Sequence, residues 1–281
     1  MSSSRNPTGR SLGLRAHRAT RWLASAAVAA VLALPMAGCK TTGDDVTGSI
    51  GSSAAPRSDA DWRKSLDVWG ARYREDPNNP EASLRYAQAL RATDQRAQAV
   101  AVLEQASMRH PGDMAIVGAY GRALAEAGDL GRALEVLGRA HTPDNPDWRV
   151  LNAQGAVLDQ MGRHAEAQKI YSSALKIVPD EPSVLSNLGL SYALMKNLKL
   201  AETTLRRAVA QPNAAPKARQ NLALVVGLQG RFSEAEAIAR ADLPEDEASA
   251  NVGYLRQMLA QQKEGKKAGR QLYVPPPDAG T

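Results

Sequence analysis

With 281 residues the chain has room for one or two domains. Its formal charge of +6 suggests an anionic partner, but residues 1–38 hold Arg5, Arg10, Arg15, Arg18 and Arg21 and no acid, so 35 Lys+Arg fall to 30 against 29 Asp+Glu in the remainder. That near balance, with one Phe in the whole chain, excludes the electrostatic footprint and the base-stacking platform of a nucleic-acid binder.

The first element, residues 1–38, has the layout of a secretory signal. An arginine-bearing region runs to Arg21, an apolar run follows from Trp22 to Leu34, and small residues close it. The apolar run is shorter than the roughly 20 residues a membrane-spanning helix needs. Cys39 is the only cysteine and ends the sequence Met36-Ala37-Gly38-Cys39, which resembles the bacterial lipobox although Met36 stands where Leu is usual. The resemblance implies a cleaved lipoprotein signal peptide, an acylated Cys39, and a chain held to a Gram-negative membrane by lipid. Lys40 follows where Asp would signal retention at the inner membrane, so the periplasmic face of the outer membrane is expected. Residues 39–60, rich in Gly, Ser, Thr and Asp, cannot bury enough surface to offset ordering entropy and are expected to be a flexible tether.

Helix begins at Asp61. Trp62, Leu66, Trp69 and Tyr73 share one face, and Asp76-Pro77-Asn78-Asn79-Pro80 stops the helix, which predicts a leading helix over 61–76. A period then sets in. Ala87, Gly121, Gly155, Gly189 and Ala223 are 34 residues apart, as are Ala99, Ala133, Ala167, Ala201 and Ala235. Ala106, Ala140, Ala174 and Ala208 form a third series that breaks at Asp242. This is the period of the tetratricopeptide (TPR) repeat, and it predicts an all-α helix–turn–helix solenoid, a right-handed superhelix over 61–262 with five repeats at 80–249. Counting from residue 80, the small residue at position 8 is expected to face the small residue at position 20. Large residues at positions 11 (Leu90, Leu124, Leu158, Tyr192, Val226) and 24 (Leu103, Leu137, Tyr171, Leu205, Ala239) fill around them.

Gly128, Gly162 and Gly230 mark the turns at position 15, where Asp94 and Lys196 depart from the pattern. The proline-rich stretch 142–147 predicts a local irregularity. A closing helix is expected over 246–262, with Asp246 as its N-cap and Val252, Leu255 and Leu259 covering the last repeat. Residues 263–281, basic and then proline-rich, are expected to be a disordered tail.

The sequence offers no catalytic chemistry. It has no HExxH, GxSxG or GxxxxGK[ST], and its histidines (His17, His110, His141, His164) share no helix-face spacing. Neither a metal site, nor a cofactor, nor an enzymatic activity is expected. What remains is recognition. In TPR proteins the first helix of each repeat lines the concave groove at positions 2, 5, 6, 9, 12 and 13. On this chain that places Arg85, Gln88, Arg91, Arg122, Arg149, Asn152, Asp159, Asn187, Gln220 and Asn221 there, with Leu190, Leu194, Leu224 and Leu228 also inward. Such amide and guanidinium groups suit a peptide backbone or a carboxylate, or else simply solvate the inner surface.

Taken with the lipobox, the repeat number and the closing helix, two stretches narrow the resemblance. They are Asn221-Leu222-Ala223-Leu224-Val225-Val226-Gly227-Leu228-Gln229-Gly230-Arg231 and Ala250-Asn251-Val252-Gly253-Tyr254-Leu255-Arg256. On them the chain resembles the TPR lipoproteins of Tad (tight adherence, Flp pilus) secretion systems, the TadD family, over about residues 60–262 plus the leader. The resemblance implies an outer-membrane-tethered factor that helps assemble a pilus secretion channel. Its partners would be pilus or secretin components, with no nucleic acid, no small-molecule substrate and no catalytic residue. Two other clients stay open on the same scaffold: outer-membrane β-barrel or type IV pilus secretin assembly, and periplasmic peptidoglycan hydrolases or proteases.

Overall fold

Many of the helices are started by a capping side chain. Asn79, Asp113, Asp129, Asp147 and Asn197 each accept a hydrogen bond from an amide in the first turn of the helix that follows (for Asn79, from Ala82 at 3.0 Å). Pro80, Pro182 and Pro216 hold the first helical position, where their missing N–H costs nothing. In the computed structural model, which describes residues 58–264 and the backbone of 265–271 apart from residue 143, these signals yield twelve helices. They are α1 Asp59–Glu75, α2 Pro80–Ala92, α3 Arg96–Arg109, α4 Met114–Glu126, α5 Leu130–Arg139, α6 Trp148–Gln160, α7 His164–Ile177, α8 Pro182–Leu194, α9 Leu198–Val209, α10 Pro216–Leu228, α11 Phe232–Ala239 and α12 Glu245–Gln271. The chain is an all-α TPR solenoid. The leader, Cys39 and most of the tether lie outside the described residues, as do 272–281.

The turn inside each repeat is the same five times. Position 15 has a positive φ in every case: Asp94 62°, Gly128 89°, Gly162 76°, Lys196 62° and Gly230 85°. The amide of the next residue then reaches the carbonyl of position 11, as in Gln95 to Leu90 at 2.8 Å and Asn197 to Tyr192 at 2.9 Å. The carbonyl that closes the turn therefore belongs to a residue of the core layer, which couples the turn to the packing. A side chain in this left-handed region costs about 1–2 kcal/mol, less for Asp than for Lys. Replacing Lys196 with Gly removes that strain but loosens the unfolded chain, so we expect a net gain of about 0.5–1 kcal/mol in urea unfolding. Asp94→Gly should gain less.

The packing corrects one expectation. Where position 8 is glycine, its nearest neighbour is the large residue at position 24, and the small residue at position 20 comes close only through its backbone, with Ala201 O 3.3 Å from a Cβ on Gly189. A Cβ on Gly121 would stand 2.6 Å from Leu137 Cγ, one on Gly189 2.6 Å from Leu205 Cγ, and one on Gly155 2.4 Å from Tyr171 Cε1. The crossing of the paired helices swings the long side chain over the glycine, so the small residue makes room for a knob instead of meeting another small residue. Leu90, Leu103, Leu124, Leu137, Tyr171 and Leu205 are all buried, in clusters strung along the array with no single central core.

Both ends also differ from expectation. Ser58 Oγ accepts from Asp61 N at 3.1 Å while the Asp61 carboxylate accepts from Ser58 N at 3.1 Å, a capping box that starts α1 at Asp59. The last residues of the expected tether are thus the cap and first turn of a helix. Trp62 is buried and Leu66 and Tyr73 pack on the first core cluster, so α1 covers the exposed end of repeat one. At the other end α12 begins at Glu245, with the Ala248 amide bonded to the Pro244 carbonyl at 2.9 Å, so Asp246 lies within the first turn and is not the N-cap. Nor does the helix stop at 262. Residues 263–271 are mostly good helix formers, and Gly265 and Gly269 each cost only about 1 kcal/mol, so the helix runs on through Gln271 where a disordered tail was expected.

Between repeats two and three, α5 ends at Arg139 and α6 starts only at Trp148. The irregularity expected at 142–147 is an isolated antiparallel bridge between Thr142 and Asn145.

Candidate partner-binding face

First helices of successive repeats touch one another: α2 on α4, α4 on α6, α6 on α8, α8 on α10, and α10 on α12. The second helices pack on their own and the following first helix but not on each other to that degree. A stack whose first helices crowd and whose second helices spread is concave on the first-helix side, which is where the inward positions of the repeat lie.

On that side the structure pairs groups 35 residues apart, one repeat plus one residue. Arg91 Nε donates to Glu126 Oε2 at 2.6 Å, and its Nη2 donates to Oε1 of the same carboxylate. Asn187 Nδ2 donates to Asn152 Oδ1 at 3.0 Å, and Asn221 Nδ2 to Ser186 Oγ at 2.9 Å. Each bond joins adjacent first helices and so holds the pitch of the inner layer. Arg91, only 12% exposed, is a bidentate brace between repeats. Ser186 and Glu126 join the face without having been singled out in the sequence, though the 35-residue offset from Asn221 and Arg91 points to both.

Asp159 accepts hydrogen bonds from three side chains. Its Oδ1 takes hydrogen bonds from Ser191 Oγ and from His164 Nδ1, both at 2.8 Å, and its Oδ2 accepts from Tyr171 OH at 3.1 Å. Burial pushes the Tyr171 phenol up and the Asp159 charge adds to it, so the phenol keeps its proton and donates. This carboxylate ties α6 to α7 and α8. Asp159→Ala strands the buried Tyr171 and Ser191 hydroxyls, for which we expect a loss of about 2–3 kcal/mol by chemical denaturation.

The remaining candidates lie on the same side, half-buried and further apart. Arg85 is 30% exposed with Nε 3.9 Å from Glu81. Gln88 and Gln220 are half-buried, each on the groove side of its helix. Arg122 folds back along α4, its Nη1 3.5 Å from where a Cβ on Gly118 would stand. Arg149 lies flat on Trp148, its guanidinium carbon 4.5 Å from the ring centroid. Its Nε and His141 Nδ1 are buried without a hydrogen-bond partner among the described residues. A cavity of about 270 Å³ lies at this irregular junction, with His141, Trp148 and Arg149 in its wall.

The second helices carry a separate ion network. Glu202 accepts from Arg206 Nε at 2.9 Å, Arg231 Nη1 at 2.7 Å and Gln229 Nε2 at 2.8 Å. Burial would raise this carboxyl, but the bonds from Arg231, Gln229 and Arg206 outweigh it and hold it at about 2. A folded value below the unfolded one means that the unfolded chain binds the extra proton in between. The stabilisation is therefore complete above about pH 4.5 and is lost as pH falls toward 2. After solvent screening we expect it to be on the order of 1 kcal/mol, read as a steeper acid loss of stability in the native chain than in Glu202→Gln.

Among the described residues no group of His, Cys, Asp and Glu is placed to hold a metal, and no helix is long and apolar enough to cross a membrane. Models of the tetratricopeptide repeat match residues 71–123 and 91–156, and a second such model matches 152–216. Among curated proteins the chain is 37% identical to the uncharacterized protein y4yS of Sinorhizobium fredii over 106 residues, 37% of this chain and 57% of that one. It is 32% identical to human tetratricopeptide repeat protein 7A over 82 residues, 29% of this chain and 10% of the human protein. The chain thus spans little more than half of the first relative and a tenth of the second. Among solved structures, the Cut9–Hcn1 assembly of the APC/C superposes with TM-score 0.59 at 14% identity, over 73% of this chain and 40% of that one. PilW, a type IV pilus biogenesis factor, does so with TM-score 0.59 at 19% identity, over 69% and 91%. These likenesses show the fold alone.

Proposed function

Since the chain belongs to the tetratricopeptide-repeat proteins, we propose that it is a scaffold that holds protein partners on its concave face, anchored by lipid at Cys39 to the periplasmic side of the outer membrane, during assembly of a Tad/Flp-type pilus secretion apparatus. The observation that carries the scaffold reading is the inner layer itself. Five first helices present half-buried polar and aliphatic side chains along one face, braced between α2 and α4, α6 and α8, and α8 and α10, so that much of it meets a partner already ordered. A braced face loses little entropy on binding.

The anchor and the client rest on other ground. Met36-Ala37-Gly38-Cys39 after an apolar run supports lipidation, and Lys40 supports the outer membrane. The Tad assignment rests on the resemblance at 221–231 and 250–256. The fold shared with PilW is compatible with a pilus client and carries no more than that.

A photocrosslinking residue placed at Gln88 or Gln220 of the membrane-bound chain tests the reading. Adducts with a secretin or pilus component are expected from both sites and not from Glu135 or Lys199 on second helices. Adducts only from the second helices would move the site off the concave face. Adducts with a cell-wall hydrolase would replace the client, as would a gene neighbourhood of hydrolases in place of a prepilin, a secretion ATPase and a secretin.

A further inference from the structure

α12 is longer than the array requires. It runs parallel to α10, with Ala248 in one cluster with Ala223 and Leu255 seated against Gly227, and so caps repeat five. Its last buried side chain among those described is Leu255 and the last half-buried one is Gln262, while Lys263 and Glu264 are exposed. The helix nevertheless continues to Gln271, through Gly265 and Gly269, which weaken it. Residues 263–271 thus add about 13 Å of helix, at 1.5 Å per residue, beyond the part whose described side chains pack.

What this extension holds is charge. Lys263, Lys266, Lys267 and Arg270 recur at i, i+3, i+4 and i+7, the spacing that gathers residues on one face of a helix. Glu264 is the one acid in 263–271, so the segment has a net charge of +3. After residue 38 the chain has 30 Lys+Arg and 29 Asp+Glu, of which residues 263–281 hold four and two, leaving 26 against 27 for residues 39–262. The positive excess beyond the leader therefore sits wholly on the end of α12. The helix dipole favours cations in the last turn, which accounts for Arg270 but not for a stripe that begins two turns earlier. The face opposite the stripe is Gly265, Ala268 and Gly269, with no apolar row to lay into a protein groove. Leu272-Tyr273-Val274 follow at once, apolar and aromatic types suited to the headgroup level of a bilayer.

Resting on the reading of this chain as anchored to a membrane at Cys39, we propose that the cationic face at the end of α12 binds anionic phospholipid headgroups. The anchor enters the array through α1, which covers repeat one, whereas α12 covers repeat five, so the two contacts hold opposite ends of the repeat series to one bilayer. Because the anchor keeps that bilayer at high effective concentration, a modest attraction suffices. Each cation near an anionic surface strengthens binding about fivefold, and Glu264 offsets one of the four. Salt screens the attraction over a Debye length of about 8 Å, so the contact is reversible while the lipid anchor is not.

The full chain, purified from membranes and reconstituted into vesicles, tests this with a fluorophore on Gln261→Cys, an exposed position just before the stripe. The vesicles are phosphatidylcholine alone, or phosphatidylcholine and phosphatidylglycerol in equal parts, each with a trace of lipid whose headgroup nitroxide quenches the label on approach. We expect quenching on the mixed vesicles to be several-fold stronger than on phosphatidylcholine and to fall to that level in high salt. Changing Lys263, Lys266, Lys267 and Arg270 together to Gln should abolish the difference, while Lys263→Arg with Lys266→Arg and Lys267→Arg should keep it. Gln matches Lys and Arg in helix propensity, and all four positions lie beyond the packed side chains, so circular dichroism should stay native. A label on Glu135→Cys, on a second helix, should report no difference between the vesicles. Equal quenching on both vesicles, or quenching that survives the four Gln substitutions, would overturn the proposal. So would a photoreactive residue at Gln261 that in cells captures protein and no lipid. Failure of the anchor reads differently, as a Cys39 thiol that takes the label in the native chain and a chain that does not float with phosphatidylcholine vesicles. Flotation with the mixed vesicles alone would then still support the basic face, and flotation with neither would remove both.

Discussion

Gly155→Leu should lower the stability of the array by about 3 kcal/mol. A Cβ at this position would stand 2.4 Å from Tyr171 Cε1, and an aromatic ring cannot yield by rotating a terminal methyl as Leu137 or Leu205 can. Tyr171 is fully buried and its hydroxyl is fixed on Asp159, so displacing the ring also breaks the bonds that join α6 to α7 and α8. Overpacking of this kind typically costs about 1–3 kcal/mol, and the stranded hydrogen bond places the site at the upper end. Leucine gains just under 1 kcal/mol over glycine in helix propensity, which offsets part of the loss without reversing it. In an array of this length the melting temperature should fall by roughly 6–12 °C.

Gly253→Ala provides the contrast. Nothing lies within 4 Å of a Cβ there, so propensity acts alone and a gain of about 0.5–1 kcal/mol is expected. If Gly155→Leu melts like the native chain, the ring of Tyr171 is not the knob that fills this gap.

The pair also shows how far a period carries. The 34-residue spacing of Ala87, Gly121, Gly155, Gly189 and Ala223 identifies positions that must stay small, and it locates the helices and the turns. It does not say what each small residue is small for. That depends on the crossing angle of two helices, which leaves no mark on the spacing of either one, and so position 24 was missed as the partner of position 8. Pairing across repeats is hidden for a similar reason. Arg91 and Asp159 appear along the sequence as polar groove residues ready for a partner. The rotation between repeats brings Glu126 to one and Ser191 to the other and makes braces of both. The extension of α12 was masked by Gly265 and Gly269, which resemble breakers until the formers around them are weighed.

Cys39→Ala has the largest expected effect on where the chain acts. One acyl chain holds a protein to a membrane only marginally, with an association constant of about 10⁴ M⁻¹, whereas two or more hold it stably. If Cys39 carries the several chains implied by the lipobox, removing its sulfur takes all of them at once, with nothing intermediate left. The protein should therefore move wholly from the membrane fraction to the soluble fraction. Stability should not change, since the helices of the repeat array, among the described residues, start at Asp59, well beyond Cys39 in the sequence. An unchanged melting temperature with lost membrane fractionation separates the anchor from the scaffold. Partner crosslinks from Gln88 should then fall in cells, because the partner is met at the membrane, yet survive when the two are mixed at high concentration. A variant that stays with the outer membrane would sink the lipid anchor. If its mass still includes residues 1–38, the uncleaved leader is what holds it there, and the Lys40 argument for the outer membrane falls as well.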